Sequence, residues 1–346
     1  MSRFLPAPRL VACLCAMLAL PCAWAEPVYR VVDLTPEDPD LACAVAINAA
    51  GHVTGLIDRD GDYRHTAGFW WGEGVRIGIG TGEASGINDA DTVVGTTDDM
   101  EHRRGQRAYV VQGGVRHGID VRGGVRYQGA AGVSAAGVVC GFDEDEEGRR
   151  GAFAVGADGH PFALDLPRHP TASSCTAISS DGRMAGIVEY HYVKERGFVG
   201  TPGNWTLLPM PHGSWSVEPQ AVNALGMVTG IYYLPGEGGR GFVYRDGRVS
   251  DLPALGADSV SYGFGINDVG QIVGASYGAR TGAVLFETDG RVIDLNERIE
   301  AGMGGNWVIE TARAINLSGV IAGCGRMRDA EGRWSGLHAV VLVPSE

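Results

Sequence analysis

The chain has 346 residues, a formal net charge of −13 and a hydrophobic content of 45%. An acidic surface argues against nucleic acid or anionic lipid as a partner, because both are negatively charged themselves. The 54 glycines among 346 residues are far more than the average glycine content of roughly 7% predicts, and they follow no triplet period. This pattern excludes a collagen-like chain and indicates many turns.

The N-terminus has the three parts of a secretory signal peptide. Arg3 and Arg9 form a basic start, residues 10–20 form an apolar run, and residues 23–25 form a cleavage site with small residues at its ends. The apolar run is too short to span a bilayer. The sequence therefore predicts that residues 1–25 are cleaved and that the protein is periplasmic or extracellular, without membrane insertion.

The rest of the chain is built from a repeat whose most regular copy is residues 261–295. That copy holds four short apolar runs separated by turns rich in Asn, Asp and Gly, a pattern typical of antiparallel strands joined by hairpins. Aligning its motif at residues 265–270 recovers copies with a shared Asn or Ser at Asn48, Asn88, Ser134, Ser179, Asn223, Asn267 and Asn316. A spacing of 40 to 49 residues with four strands per copy predicts the blades of a β-propeller.

The positions of the motif have physical reasons. The Asn or Ser can accept a local backbone hydrogen bond, and a Gly three residues later supplies a positive φ. Asp91 replaces this Gly in the second copy, and Asp tolerates the same geometry. The position two residues before the Asn or Ser is Ala or Gly in every copy, which predicts inner strands that crowd around a central axis.

The seventh copy ends after its third strand, and the missing fourth strand has a counterpart at the start of the chain. Residues 29–34 match residues 290–295, the fourth strand of the sixth copy. We therefore expect the N-terminal strand to complete the last blade and close the ring, which removes open sheet edges. The predicted fold is all-β, with residues 26–346 forming one seven-bladed β-propeller of four antiparallel strands per blade.

Four cysteines remain after signal removal, and an even number in an exported protein favours disulfides. Cys43 and Cys324 fall in neighbouring blades across the expected closure, and Cys140 and Cys175 occupy similar places in blades three and four. We expect the pairs Cys43–Cys324 and Cys140–Cys175. Four buried free thiols are the alternative.

The repeated pattern AxxINxxGxVxG, followed by an Ala-Phe or Gly-Phe strand, resembles the HAF family of extracellular repeat proteins. The resemblance covers nearly all of the chain after residue 25 and implies a secreted or surface-exposed bacterial protein of propeller-like fold. It brings no catalytic motif. Ser134 and Ser179 depart from the family's Asn but keep a side-chain acceptor at that position.

Two groups of side chains could bind a ligand on the loop-rich face. Asp58, Asp60 and Asp62 alternate and could bind Ca²⁺, which prefers several oxygen ligands, although they lack a distal bidentate Glu and acidic loops are commonly just solvated. No other cofactor is expected. Aromatic residues could hold a sugar or peptide, or could pack between blades as core. The aromatic candidates are Tyr127, Tyr190, Trp215, Tyr232, Tyr262 and Trp307.

Enzyme signatures are sparse, since the nine histidines are scattered and no two are spaced as His-x-x-x-His. The sequence therefore favours a monomeric, non-enzymatic binding or scaffold propeller that recognises a glycan or protein ligand on its loop-rich face. Two alternatives stay open. One is a glycan-cleaving enzyme that uses paired carboxylates, and the other is a purely structural envelope protein.

Overall fold

The computed structural model describes residues 27–37, 40–58, 66–99, 105–122, 125–162, 164–191, 194–303 and 305–345. The expected signal peptide, residues 1–25, lies outside these ranges. Within them the chain is almost wholly β, with a short 3₁₀ helix at Leu295–Arg298. No helix in these ranges is long and apolar enough to cross a membrane.

The strands form antiparallel units of four, and each copy of the repeat lies in one unit. A parallel bridge between Glu195 and Ser216 joins units 4 and 5 into one eight-stranded sheet. The first strand is β1 (Tyr29–Asp33). Unit 1 contains β2 (Leu41–Ile47), β3 (Val53–Asp58), β4 (Thr66–Gly72) and β5 (Val75–Thr81). Unit 2 contains β6 (Glu83–Ile87), β7 (Val93–Asp99), β8 (Gly105–Gln112) and β9 (Val115–Gly118). Unit 3 contains β10 (Val125–Val133), β11 (Val139–Asp145), β12 (Arg150–Val155) and β13 (Pro161–Phe162).

The later units follow the same plan. Unit 4 contains β14 (Ala172–Ile178), β15 (Met184–Tyr190), β16 (Lys194–Thr201) and β17 (Asn204–Leu207). Unit 5 contains β18 (Ser216–Val222), β19 (Val228–Leu234), β20 (Gly238–Arg245) and β21 (Arg248–Asp251). Unit 6 contains β22 (Ser259–Ile266), β23 (Ile272–Gly278), β24 (Gly282–Phe286) and β25 (Val292–Asp294). Unit 7 contains β26 (Trp307–Ile315), β27 (Ile321–Met327) and β28 (His338–Pro344).

Unit 7 takes its fourth strand from the N-terminal end of the chain. Strand β1 pairs antiparallel with β28, so that Tyr29 lies opposite Pro344 and Asp33 lies opposite Val340. The first strand of each unit, its inner strand, contacts the inner strand of the next unit, and β26 contacts β2. Each inner strand runs from the loop face, where the second and third strands are joined, to the turn face, where the repeat motif turns back.

The turn of each repeat has the expected geometry. In unit 1, the Asn48 Oδ1 accepts a hydrogen bond of 2.9 Å from the backbone N–H of His52, and Gly51 has φ of +85°. Asp91, the exception to Gly, has φ of +56°. The turn chemistry inferred from the motif is therefore confirmed.

The small residues before the Ile or Val position lie where neighbouring inner strands come closest. A Cβ on Gly86 would lie 2.9 Å from the Cα of Gly132 in the next unit. One on Gly265 would lie 2.6 Å from the carbonyl oxygen of Arg313. The predicted crowding of the inner strands is confirmed, because a larger side chain would meet backbone that cannot move aside.

A glycine on the second strand of the unit accommodates an aromatic side chain from the third. A Cβ on Gly55 would lie 2.8 Å from the ring of Phe69, and a Cβ on Gly186 would lie 2.8 Å from that of Phe198. Both phenylalanines are buried. Phe69 packs with residues of unit 7, and Phe198 packs edge-on against Trp205 of its own unit. Truncation of such a buried ring to Ala typically costs about 3–5 kcal/mol.

The Asn/Ser column, the shared position of the seven motifs, also links the units to one another. Each Asn side chain uses its Nδ2 to donate to a backbone carbonyl of the next unit. The pairs are Asn48–Asn88 (3.1 Å), Asn88–Ser134 (2.9 Å), Asn223–Asn267 (2.9 Å), Asn267–Asn316 (3.2 Å) and Asn316–Asn48 (3.1 Å). A serine hydroxyl is too short for this second task, so the hydrogen bonds of the Ser134 and Ser179 side chains stay within their own turns.

Both expected cysteine pairs come together at disulfide distance. The Cα atoms of Cys43 and Cys324 are 4.8 Å apart and link units 1 and 7. Those of Cys140 and Cys175 are 5.9 Å apart and link units 3 and 4. Both separations fall within the usual disulfide range, which confirms the predicted pairing.

Candidate functional site

Every inner strand carries a β-bulge at the residue just before the small Ala or Gly. A bulge adds one unpaired residue to a strand and redirects its side chain. The residues at these positions, the bulge column, are Val45, Ser85, Ala131, Thr176, Gln220, Phe264 and Arg313. They differ in size, polarity and charge, in contrast to the regular motif that follows them.

The whole bulge column lines one central cavity of about 410 Å³. Leu56, Glu83, Phe142 and Arg150 are also part of its wall. A second cavity of about 250 Å³ lies toward the turn face and is lined by the Ile or Val residues of the motif and by members of the Asn/Ser column. The variable residues therefore surround one cavity and the repeated residues surround the other.

Polar groups of the central cavity fall into two sets. The Ser85 and Thr176 hydroxyls donate to backbone carbonyls of the following units, at 2.5 Å from Ala130 O and 2.8 Å from Pro219 O. Gln220 and Arg313, by contrast, make no side-chain hydrogen bond or ion pair with any residue in the described ranges. Their donors are available to a ligand.

Arg313 places a cation inside this cavity. Its guanidinium carbon lies 4.9 Å from the centre of the Phe264 ring, which is a cation–π distance. Burial lowers the pKa of the guanidinium, and the charges of Tyr277 and Glu83 act in the opposite direction. An arginine remains protonated under such conditions, so the cavity holds a partly desolvated positive charge.

Aromatic side chains extend from the loop face to this cation. Trp215 is 44% exposed, and its ring centre lies 5.7 Å from that of Tyr233. Tyr233 and Tyr262 flank Gly239, where an added Cβ would lie 3.1 Å from each. The ring centres of Tyr262 and Phe264 are 6.4 Å apart. We refer to Trp215, Tyr233, Tyr262 and Phe264 as the aromatic row.

Of the aromatic candidates from the sequence, Trp215 and Tyr262 belong to the row, and four do not. Tyr127 is half-buried and packs beneath Arg126, whose guanidinium carbon lies 4.8 Å from its ring centre. The Tyr190 hydroxyl donates a hydrogen bond of 2.6 Å to the Pro167 carbonyl. Tyr127 lies near the start of β10 and Tyr190 at the end of β15, and neither ring lines the central cavity.

Tyr232 and Trp307 lie in the core. Tyr232 is 4% exposed, and its hydroxyl donates a hydrogen bond of 2.9 Å to Asp251. Trp307 is 7% exposed and packs edge-on against His338. Their positions on the strands turn both rings toward a neighbouring unit, so these two rings are not accessible on a ligand-binding rim.

The acidic run considered for Ca²⁺ is only partly described. Asp58 is buried at the end of β3, while Asp60 and Asp62 lie outside the described residues. Among the residues that are described, no three His, Cys, Asp or Glu side chains are grouped as a metal site.

Two carboxylates share one hydroxyl near the aromatic row. The buried Ser216 Oγ lies 2.9 Å from Glu195 Oε2 and 3.0 Å from Glu218 Oε1. A hydroxyl has one proton to donate, so the two carboxyl groups share a single donor. Burial raises the pKa of Glu218, the hydrogen bond from Ser216 opposes this, and the charge of Glu195 adds to it.

This carboxyl pair adjoins the central cavity. Glu195 lines a neighbouring cavity of about 310 Å³ whose wall also includes Arg150 and Ser174. The same two residues line the central cavity. The loop face therefore has two acidic side chains that share one hydroxyl, beside the space that contains Arg313.

One sequence match to a catalytic motif has the wrong structural context. Residues 274–278 read G-A-S-Y-G, the spacing of a nucleophile elbow. Ser276 lies inside strand β23, is fully buried and donates a hydrogen bond of 3.1 Å to the Arg280 carbonyl. An elbow needs an exposed serine on a turn from strand to helix, so Ser276 is a structural residue.

Sequence reasoning missed Gln220, Phe264 and Arg313. The available signal was the variability of the position just before the small residue of the motif. A position that changes from Val to Arg between otherwise regular copies is not constrained by packing alone, and that variation marks it as a place for function.

No family model and no curated protein matches this chain. A puromycin-hydrolyzing peptidase of Mycobacterium tuberculosis is similar in structure, with a TM-score of 0.58, 12% identity, and coverage of 92% of this chain and 54% of that one. The β-propeller domain of the Trilobed protease from Pyrococcus furiosus has a TM-score of 0.56 and 9% identity, covering 91% of this chain and 94% of that domain. An acylaminoacyl peptidase has a TM-score of 0.53 and 12% identity, and the match covers 89% of this chain and 52% of that one.

At these identities the similarity shows the fold, which is a β-propeller. The chain spans about half the length of the puromycin-hydrolyzing peptidase (54%) and of the acylaminoacyl peptidase (52%). The matches also correct the functional interpretation of the sequence. A non-enzymatic binding or scaffold propeller for a glycan or protein was the wrong expectation, because the similar solved propellers belong to peptidases. Its glycan-cleaving and purely structural alternatives are withdrawn with it.

Proposed function

We propose that this chain is an exported propeller that forms the substrate-holding part of a peptide-hydrolysing enzyme. The observation that carries the proposal is the central cavity, which is lined by all seven variable bulge residues and contains unpartnered polar groups. The presence of this fold in peptidases supports the choice of a peptide as substrate.

In this proposal the molecule has seven blades, and the N-terminal strand closes the ring. Two contacts support it. The Asn316 side chain donates to Asn48 O, which joins the last repeat to the first, and β1 pairs with β28. The two cysteine pairs support an exported location, because disulfides persist in oxidising compartments.

The size of the cavity suits one end of a short peptide. Its volume of about 410 Å³ lies at the lower end of the range for pockets that bind small ligands. The aromatic row provides a path to it from the exposed Trp215, and aromatic faces bind extended chains at low entropic cost. Gln220 can both donate to and accept from a peptide backbone.

Cleavage of the peptide is assigned to groups outside this chain. The chain corresponds in length to about half of the peptidases it resembles. A second domain or polypeptide on the loop face would meet a peptide that emerges along the aromatic row, beside Glu195 and Glu218.

Filling the cavity tests the proposal. Ala131 belongs to the bulge column, and we expect Ala131→Phe to weaken the binding of unblocked tri- to hexapeptides at least about tenfold, because the new ring occupies their space. Ala136→Phe, on the exposed turn of the same unit, is the matched control and should bind like the wild type. Calorimetry and tryptophan fluorescence measure the affinities. No peptide binding by the wild type, or equal binding by both variants, would overturn the proposal.

A further inference from the structure

We propose that Arg313 and Gln220 bind the C-terminal carboxylate of the peptide, so that the cavity selects free-acid peptides. This inference rests on the proposed function and names the part of the substrate that enters the cavity. The two residues lie on the inner strands of units 7 and 5, and both line the same space.

Arg313 makes no hydrogen bond or ion pair with its side chain in the described part of the chain. Buried or partly buried charges in proteins are normally paired. The guanidinium lies against the Phe264 ring, and Glu83 and Tyr277 act on it only through their charges. The other arginine of the cavity wall, Arg150, is already engaged by Glu144 at 3.1 Å. The guanidinium of Arg313 is therefore the group that a ligand can neutralise.

The charges of the cavity wall limit the charge of the ligand. Glu83 lies in the same wall and interacts electrostatically with Arg313. With Arg150 paired to Glu144, Arg313 is the cation of this wall that a ligand can bind, and the negative charge of Glu83 disfavours a ligand with two negative charges. A carboxylate is a monoanion whose two oxygens match the planar fork of a guanidinium. A phosphate carries more charge than this wall can balance.

An apolar surface surrounds the cation. Phe264, Val45 and Leu56 line the cavity with Arg313, and these side chains can surround the last side chain of a peptide. A peptide C-terminus consists of a carboxylate next to a variable side chain. The cavity can therefore hold the carboxylate at Arg313 and the last side chain against the apolar residues.

The test compares tetra-alanine as a free acid with tetra-alanine amide, using the full chain without its expected signal. We expect the wild type to bind the free acid about 10- to 100-fold more tightly, because a charge-assisted contact to Arg313 is lost with the amide. In Arg313→Gln both peptides should bind alike. Arg313→Lys should retain part of the preference, since it keeps the charge without the fork. Arg333→Gln, at an exposed arginine of the same unit, is the control and should keep the full preference.

A purely structural role for Arg313 predicts a different pattern. In that case Arg313→Gln would lower the midpoint of thermal unfolding without peptide and would weaken both peptides equally. Removing an unpaired, desolvated cation should instead leave the midpoint unchanged or raise it.

The outcomes separate this inference from the proposed function. Equal binding of acid and amide by the wild type would overturn the inference and leave peptide binding intact. Binding of neither peptide would overturn both. Inorganic phosphate that competes more strongly than acetate at equal concentration would overturn the choice of a monocarboxylate.

Discussion

Two sets of side chains surround the axis of this propeller, the bulge column on the inner strands and the Asn/Ser column just after their ends, three residues later. The Asn/Ser column on the turn side is nearly uniform, and its hydrogen bonds are satisfied both within and between units. The bulge column varies in every property, and the side chains of Gln220 and Arg313 within it have no hydrogen-bond or ion-pair partner in the described part of the chain. The Asn/Ser column joins the units, and the bulge column has polar groups that are available to a ligand. Substitutions in the two columns should therefore affect different measurements.

The largest effect is expected for Asn316→Ala. The side chain of Asn316 donates to Asn48 O and accepts from the N–H groups of Ser318 and Val320, each at 3.0 Å. Its loss leaves buried groups unsatisfied and should lower the free energy of unfolding in urea by about 2–4 kcal/mol. Leu317→Ala, at a side chain that is 60% exposed, is the control and should change it by less than about 0.5 kcal/mol.

Asn316→Ala should also leave the affinity for tetra-alanine unchanged, whereas Arg313→Gln should alter affinity without a loss of stability. If both variants lost stability to the same extent, the division between the two columns would be wrong.

A smaller, pH-dependent effect is expected for Glu218→Gln. The raised pKa of Glu218 means that its charged form is disfavoured in the folded protein. The wild type therefore loses stability as the pH rises through that pKa, while the Gln variant does not. The variant should unfold at a temperature about 1–3 °C higher than the wild type at pH 7 and lose this advantage toward pH 4. Glu147→Gln, at an exposed acid, serves as the surface control. A stability advantage of Glu218→Gln that grew toward low pH would contradict a raised pKa for Glu218.

The smallest effect is expected where the Asn/Ser column is interrupted. Ser134→Asn should add the missing donor toward unit 4 and stabilise the protein by about 0.5–1 kcal/mol. Ser134→Ala is its counterpart and should destabilise it by a similar amount, because the N–H of Val138 loses its acceptor. Thermal unfolding of the pair measures both. A loss of stability in Ser134→Asn would mean that the junction has adapted to the shorter side chain.

Most of the fold could be predicted because it depends on local chemistry that recurs. Asn48 with Gly51 specifies a turn wherever it occurs, and a small residue two positions before the Asn reports a close approach of strands. The cysteine pairing could be inferred because Cys43 and Cys324 hold comparable places in adjacent copies.

The candidate site could be predicted only in part, because it depends on which side of a strand a residue faces. Tyr232 and Tyr233 are neighbours in sequence, yet the first is core and the second belongs to the aromatic row. Trp215 and Trp307 both lie near the start of inner strands, but only Trp215 is exposed. A bulge also shifts by one residue the alternation of side chains between the two faces of a strand. No pattern in a single copy shows that Arg313 occupies a bulge.

The pairing of β1 with β28 has a consequence for the order of folding. Unit 7 obtains its hydrogen bonds from strands at opposite ends of the described chain, as Tyr29 lies opposite Pro344. A contact between such distant residues cannot form until most of the chain has been synthesised, and it carries a high cost of loop closure. The six other units can pair their strands locally as the chain emerges, whereas β1 stays an unpaired edge until β28 arrives. This strand is thus the part of the molecule most exposed to misassembly, and its docking completes the native state.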